Sequence, residues 1–224
     1  MSLAPNSPEK IAQLLADESA PIKWLFAGDS ITHGAYHTFG YRDYPEHFAE
    51  RVRWEKRRVR DAVITTGVSG WRITHIADDL DWSVLQYSPK VVSINVGMND
   101  CVEGPDGVAK FGEVYRSVLD RISSSFDTAL ILHTPNTIYH TPEGARAHVG
   151  LYAAEVRRIA AEYQAVLVDH EKDWLEAVQR QALMYWLSDE IHPNEYGHRS
   201  MANTLFRALG LFDPESITCR LLVP

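Results

Sequence analysis

The sequence predicts an α/β fold in a single domain, a five-stranded parallel sheet covered by helices on both faces. Three observations carry that expectation. Apolar runs of strand length alternate with helix-period segments five times along the 224 residues. Each is a short, mainly apolar run, as strands buried on both faces are, and each stops at a glycine or a polar residue. No repeat, low-complexity stretch or linker divides the chain, so one domain spans 1–224. Right-handed crossovers then bring every strand's carboxyl end to one edge of the sheet, where open α/β proteins hold their chemistry.

Local signals place the elements in order. A helix is expected over 8–17, where Ile11, Leu14 and Leu15 recur at helical spacing and Ser7 can serve as cap. After Pro21, the run 22–27 is the first strand, halted by Gly28. Gly28-Asp29-Ser30 then turns the chain toward a helix that starts soon after. A loop bearing Tyr36, Phe39, Gly40 and Tyr41 leads into a helix over 44–57. The one basic run, 51–60, reads as the exposed face and end of that helix, where cations complement the dipole. The second strand, 61–65, ends at Gly67, and the loop 68–71 precedes a helix over 74–85. Pro89 opens the most continuous β signal, 90–96, which ends at Gly97. A helix over 108–123 follows, then a strand over 129–133 halted by Pro135. A loop over 136–144 and a helix ending at Tyr163 come next, then the fifth strand, 165–169. The last elements are a helix over 174–184, a polar loop over 188–194 and a helix over 195–209. The apolar tail, 217–224, packs either on the body or on a partner chain, so a homo-oligomer stays open.

Composition narrows the function classes. The chain is 45% hydrophobic and 23% charged, ordinary for a soluble globular protein. Its formal net charge is −8, from 22 Lys+Arg against 30 Asp+Glu, so neither nucleic acid nor an anionic membrane is an expected partner. Two distant cysteines, Cys101 and Cys219, give no disulfide framework and fit a reducing compartment. The first ten residues carry charge and two prolines but no apolar signal core, so a cytoplasmic location is expected.

Chemistry gathers just beyond the strand ends. Ser30 follows the first strand in a Gly-x-Ser turn, and a helix start near it would leave backbone N–H groups free to face an oxyanion. The plainer reading is that Asp29 or Ser30 only caps that helix. A serine nucleophile needs a base, and the base needs an orienting group. Among ten histidines, His192 stands apart in a polar loop with Asp189 three residues ahead. Donors for an oxyanion are Ser30 N–H, Gly67 N–H and the Asn99 side-chain amide. Taken singly, Gly67 is a turn residue, Asn99 a helix cap and Asp189 a loop residue bonded to backbone.

Together these blocks, Gly28-Asp29-Ser30, Gly67 in Gly-Val-Ser-Gly, Gly97-Met98-Asn99-Asp100 and Asp189 through Pro193, resemble the SGNH (GDSL) hydrolase superfamily over 22–209. The resemblance implies a flavodoxin-like three-layer α/β/α sandwich and a serine esterase mechanism without metal or other cofactor. It also implies Ser30 as nucleophile, His192 as base, Asp189 as orienter, and an oxyanion hole of Ser30, Gly67 and Asn99. One departure is Thr65, where relatives often carry asparagine; adjusted packing behind Gly67 is the expected result. Ser69 lacks the small residue an α/β-hydrolase elbow needs, since Trp71 stands there. Asp29, Asp100, Asp189 and His192 fall short of a two-metal ligand set. Asp29 is expected to hold the turn, and Cys101 to be a buried small residue.

Substrate contacts are expected from Tyr36, Trp71, Met98, Pro135 and Ile191, within loops 36–41, 71–72 and 135–140 that are aromatic and polar without a greasy lid. That character suits a small acyl group on a polar alcohol. Compact relatives resemble carbohydrate acetylesterases, so an O-acetyl group on a sugar is the leading expectation. Thioesterase, arylesterase and lysophospholipase chemistry remain open, as does a silent sugar-binding or assembly module.

Overall fold

The computed structural model describes residues 8–139 and 144–224. Five strands, β1 (Lys23–Gly28), β2 (Ala62–Thr65), β3 (Val91–Asn95), β4 (Ala129–His133) and β5 (Val166–Val168), form one parallel sheet in the order β2-β1-β3-β4-β5. The first helices are α1 (Pro8–Ala16), α2 (Ser30–His33), α3 (Tyr44–Glu50), α4 (Ile73–Asp78) and α5 (Leu80–Ser83). Then come α6 (Gly107–Ser125), α7 (Val149–Glu162), α8 (His170–Ala177) and α9 (Glu195–Ala208). The strand order is that of a flavodoxin-like, doubly wound sheet, whose direction of growth reverses between β1 and β3. Helix α3 packs on α9, whereas α4 packs on α6 and α6 on α7, so two helical layers enclose the sheet.

Burial explains why the strands read as apolar runs. Every residue of β3 and β4 is buried. From β1, Trp24 and Phe26 meet Phe48 of α3 with ring centroids 5.0 and 5.2 Å apart. Burying each such side chain contributes about 1.5–3 kcal/mol. The Trp24 indole N–H donates to Asp61 Oδ2 at 3.0 Å, so its polar edge is satisfied inside the core. Helix starts are capped as their residue types dictate. Asp43 and Glu46 exchange bonds in a capping box on α3, and Asn194 Oδ1 accepts from Tyr196 N–H and Gly197 N–H on α9.

Several elements differ from expectation for local reasons. The helix expected over 44–57 becomes α3 followed by a π turn, Arg51–Glu55, closed by Lys56 N–H on Arg51 O at 3.0 Å. Two arginines of the basic run are buried, not exposed. Arg51 donates to the Leu211 carbonyl and to Glu55, and Arg58 to Asp61 and the carbonyls of Leu15, Asp17 and Ala20. The helix expected over 74–85 breaks at Asp79 and Val84, giving α4, α5 and a 3-10 turn, Leu85–Tyr87. The helix expected over 174–184 starts earlier, because Asp169 caps it by accepting from Lys172 N–H, and it ends at Ala177. The Ser7 cap lies outside the described residues. The tail folds back on its own domain: Trp186 Nε1 donates to Pro224 O at 3.1 Å, Arg199 to Leu222 O at 3.2 Å, and Thr218 bonds Glu55. Among the described residues, no helix is long and apolar enough to cross a membrane.

Candidate active site

The Gly-Asp-Ser turn is built by close packing at the end of β1. A Cβ on Gly28 would lie 2.3 Å from Thr32 Oγ1 and 2.5 Å from Asn95 O, so only glycine fits beneath α2. Asp29 caps that single helical turn, its Oδ1 accepting from Ile31 N–H at 2.9 Å, as expected of a turn-holding residue. Its other oxygen has no hydrogen-bond partner, and burial raises the carboxyl to about 7. With capping left to Asp29, the Ser30 hydroxyl is free for a different partner. Its Oγ stands 2.9 Å from His192 Nε2.

The loop carrying His192 is pinned by its own aspartate. Asp189 Oδ1 accepts from Ile191 N–H and His192 N–H, both at 2.8 Å, and Oδ2 meets His192 Nδ1 at 2.7 Å. The plainer reading, in which Asp189 bonds only backbone, is therefore incomplete. Burial opposes ionisation of Asp189, but these three bonds outweigh it and hold the carboxyl below its ordinary range. An ionised carboxylate only accepts, so the ring proton sits on Nδ1 and the Nε2 lone pair faces Ser30.

Gly67 and Asn99 arrive from the ends of β2 and β3. A Cβ on Gly67 would lie 2.7 Å from His33 N and 3.0 Å from Asp29 O, which shows how closely the two turns approach. Behind it, Thr66 bonds the Ser83 carbonyl at 2.8 Å, while Thr65 itself is exposed. Asn99 does not cap the following 3-10 turn. Its Nδ2 donates to Trp71 O at 3.0 Å and its Oδ1 accepts from Arg146 at 3.2 Å; Arg146 also donates to Met98 O at 3.0 Å. Asp100 braces the same loop, accepting from Ile73 N–H and Gly97 N–H, and burial raises its carboxyl to about 6.

Of the residues expected to touch substrate, Tyr36 stands at the rim, 86% exposed, and Trp71 and Ile191 are half-buried. Met98 and Pro135 are both buried, Pro135 against Gly97. His140 lies outside the described residues. Cys101 is buried as expected, its thiol pushed up to about 12 by burial. Ser69 is exposed and bonds His33, not the Ser30 site.

Two residues at the site escape a reading of the sequence. Arg146 gives no local signal, since its role exists only through its contact with Asn99. His37 stacks on His192 with centroids 3.4 Å apart and planes 6° apart, and its Nδ1 lies 3.6 Å from Asp189 Oδ2. Its place soon after Ser30 was the available clue. Ligand atoms of His37, Asp189 and His192 lie within 4.8 Å of one another, a grouping that could hold a metal ion. The stacking of His37 on His192 and the hydrogen bond from His192 Nδ1 to Asp189 account for the grouping. Four other histidines, His47, His133, His170 and His198, are buried, and His133 and His170 bond each other at 2.9 Å inside the core.

A doubly wound sheet with a serine–histidine–aspartate chain at its carboxyl edge defines the class, a serine ester hydrolase. Within that class the chain belongs to the GDSL-like lipase/acylhydrolase family, whose sequence model matches residues 26–200. An acetylxylan esterase of Geobacillus stearothermophilus is 26% identical over 213 residues, covering 84% of this chain and 94% of that one. The fold is similar to a variant of an acetyl xylan esterase from the same organism, with a TM-score of 0.76, 22% identity, and 89% and 100% of the two chains covered. It also matches an α/β hydrolase from the metagenome of Lake Arreo, Spain, with a TM-score of 0.74, 22% identity, and 87% and 98% covered.

Proposed function

We propose that this protein removes short acyl groups, acetyl foremost, from a carbohydrate ester, with Ser30 as nucleophile, His192 as base and Asp189 as orienter. The observation that carries the reading is the continuous chain Ser30 Oγ, His192 Nε2, His192 Nδ1, Asp189 Oδ2, with contacts of 2.9 and 2.7 Å at its two ends. Ser30 Oγ attacks the ester carbonyl as its proton passes to His192 Nε2. The oxyanion settles among Ser30 N–H, which has no acceptor within its own helix, Gly67 N–H and the Asn99 amide. Collapse breaks the bond to the alcohol, which leaves with the proton from His192. Water then repeats the cycle on the acyl-serine and releases the acid. The acetyl and sugar assignment draws on the similarity to an acetylxylan esterase and on the polar, aromatic loops around the site.

Hydrolysis of p-nitrophenyl acetate, butyrate and octanoate by wild type and Ser30→Ala tests the reading. Rates that fall with chain length and vanish in the variant support a short-chain serine esterase, and acetylated xylo-oligosaccharides then test the alcohol. Activity that survives in Ser30→Ala overturns the nucleophile; inertness of the wild type toward both ester series favours a binding module.

A further inference from the structure

Two hydrogen bonds hold the His192 ring, one at each nitrogen, Ser30 on Nε2 and Asp189 on Nδ1. Bonds at the two ends of one axis fix the ring's position but leave it free to tilt about that axis. A flat neighbour against one face removes this freedom. His37 is such a neighbour, 3.4 Å away and 6° from parallel. Its own ring is met edge-on by Tyr36 at 5.1 Å. The loop holds Tyr36 and Phe39 at φ of 70° and 53°, left-handed conformations that cost non-glycine residues energy.

We propose that His37 is a positioning residue for ester hydrolysis: by stacking, it holds His192 in the plane shared with Ser30 and Asp189 and, while neutral, favours the imidazolium that His192 becomes. The inference rests on the roles given above to Ser30 and His192. Four groups face His37: the His192 ring, Asp189 Oδ2, His33 from α2, and the Tyr36 ring. Burial foremost, then the neighbouring His192, lowers its basicity, Asp189 opposes this, and His33 adds to the lowering. A neutral imidazole turns its π face to the charged His192, a favourable cation–ring contact. A protonated one sets like charge 3.4 Å away and brings a second N–H to compete for Asp189 Oδ2. Stacking thus assists the reaction only while His37 is unprotonated.

The test is the pH dependence of kcat and KM for p-nitrophenyl acetate with wild type, His37→Ala, His37→Gln and His37→Phe. Loss of the face contact in His37→Ala and His37→Gln lowers kcat about 10-fold with KM little changed, a moderate misalignment penalty. His37→Phe restores most of kcat, because a flat ring returns, and its acid limb is shallower because one titrating group is gone. Wild-type kcat and pH profile in His37→Ala would overturn the inference, and so would a His37→Phe no faster than His37→Gln. If His37→Ala fails to fold, the comparison of the phenylalanine and glutamine variants decides. Ser30→Ala runs alongside: activity there refutes the nucleophile, whereas a failed His37 series beside an inert Ser30→Ala refutes only the stacking role.

Discussion

Arg146 clamps Asn99: its guanidinium donates to Asn99 Oδ1 at 3.2 Å while the Trp71 carbonyl takes one Nδ2 N–H at 3.0 Å. A planar amide held at two of its three polar positions has its last N–H fixed in direction. No acceptor among the described residues takes that N–H, which suits it to a developing oxyanion. Asn99→Ala is therefore expected to lower kcat about 10²–10³-fold with KM little changed, as measured by steady-state hydrolysis of p-nitrophenyl acetate.

Arg146→Ala leaves the Asn99 amide in place but frees it to rotate. A smaller loss in kcat, about 10-fold, is the expected outcome. In a double variant with Asn99→Ala the Arg146 effect should nearly disappear, because both changes act on one group. Fully additive losses would show that Arg146 acts elsewhere.

Gly67→Ala tests the close approach of the two turns. The added Cβ would meet backbone, His33 N at 2.7 Å, which cannot swing aside as a flexible side chain can. Overpacking of this kind costs about 1–3 kcal/mol, so denaturant unfolding should show a lower midpoint. Activity should fall further than stability accounts for, since the shifted turn carries the Gly67 N–H proposed above as an oxyanion donor.

Stability should respond to pH with opposite signs at two buried groups. Burial raises the Asp43 carboxyl to about 7, so the neutral acid suits the folded state, and its contribution is lost as pH rises from about 4 through 7. Asp43→Asn keeps a capping oxygen for Glu46 N–H and should gain stability relative to wild type across that window. Burial, with Arg199 and Arg42 nearby, lowers His47 to about 4. Its neutral form suits the fold, so its contribution is present above about 6.5 and lost as pH falls toward 4. His47→Gln should lack that acid loss. Urea midpoints of the three proteins from pH 4 to 8 would show the two slopes.

The sheet was legible because each strand carries its own message: a short apolar run with a turn residue at its end. That Ser30, Gly67 and Asn99 gather at one edge was legible for a related reason, since topology alone brings the ends of β1, β2 and β3 together. What escaped depends on contacts between distant segments. Arg51 and Arg58 look like surface cations until the carbonyls of Leu211 and Ala20 meet them. Nothing in hydrophobic period marks where a helix widens into the π turn at Arg51 or breaks at Asp79. His37 and Arg146 acquire their places only when the loops close over the strand ends.

The two strands at the margins of the sheet, β2 and β5, are also its shortest, with four and three residues. A margin this brief exposes few unpaired backbone groups, so a second chain finds little template on which to add a strand. Short edge strands thereby guard a crowded or refolding population against edge-to-edge aggregation.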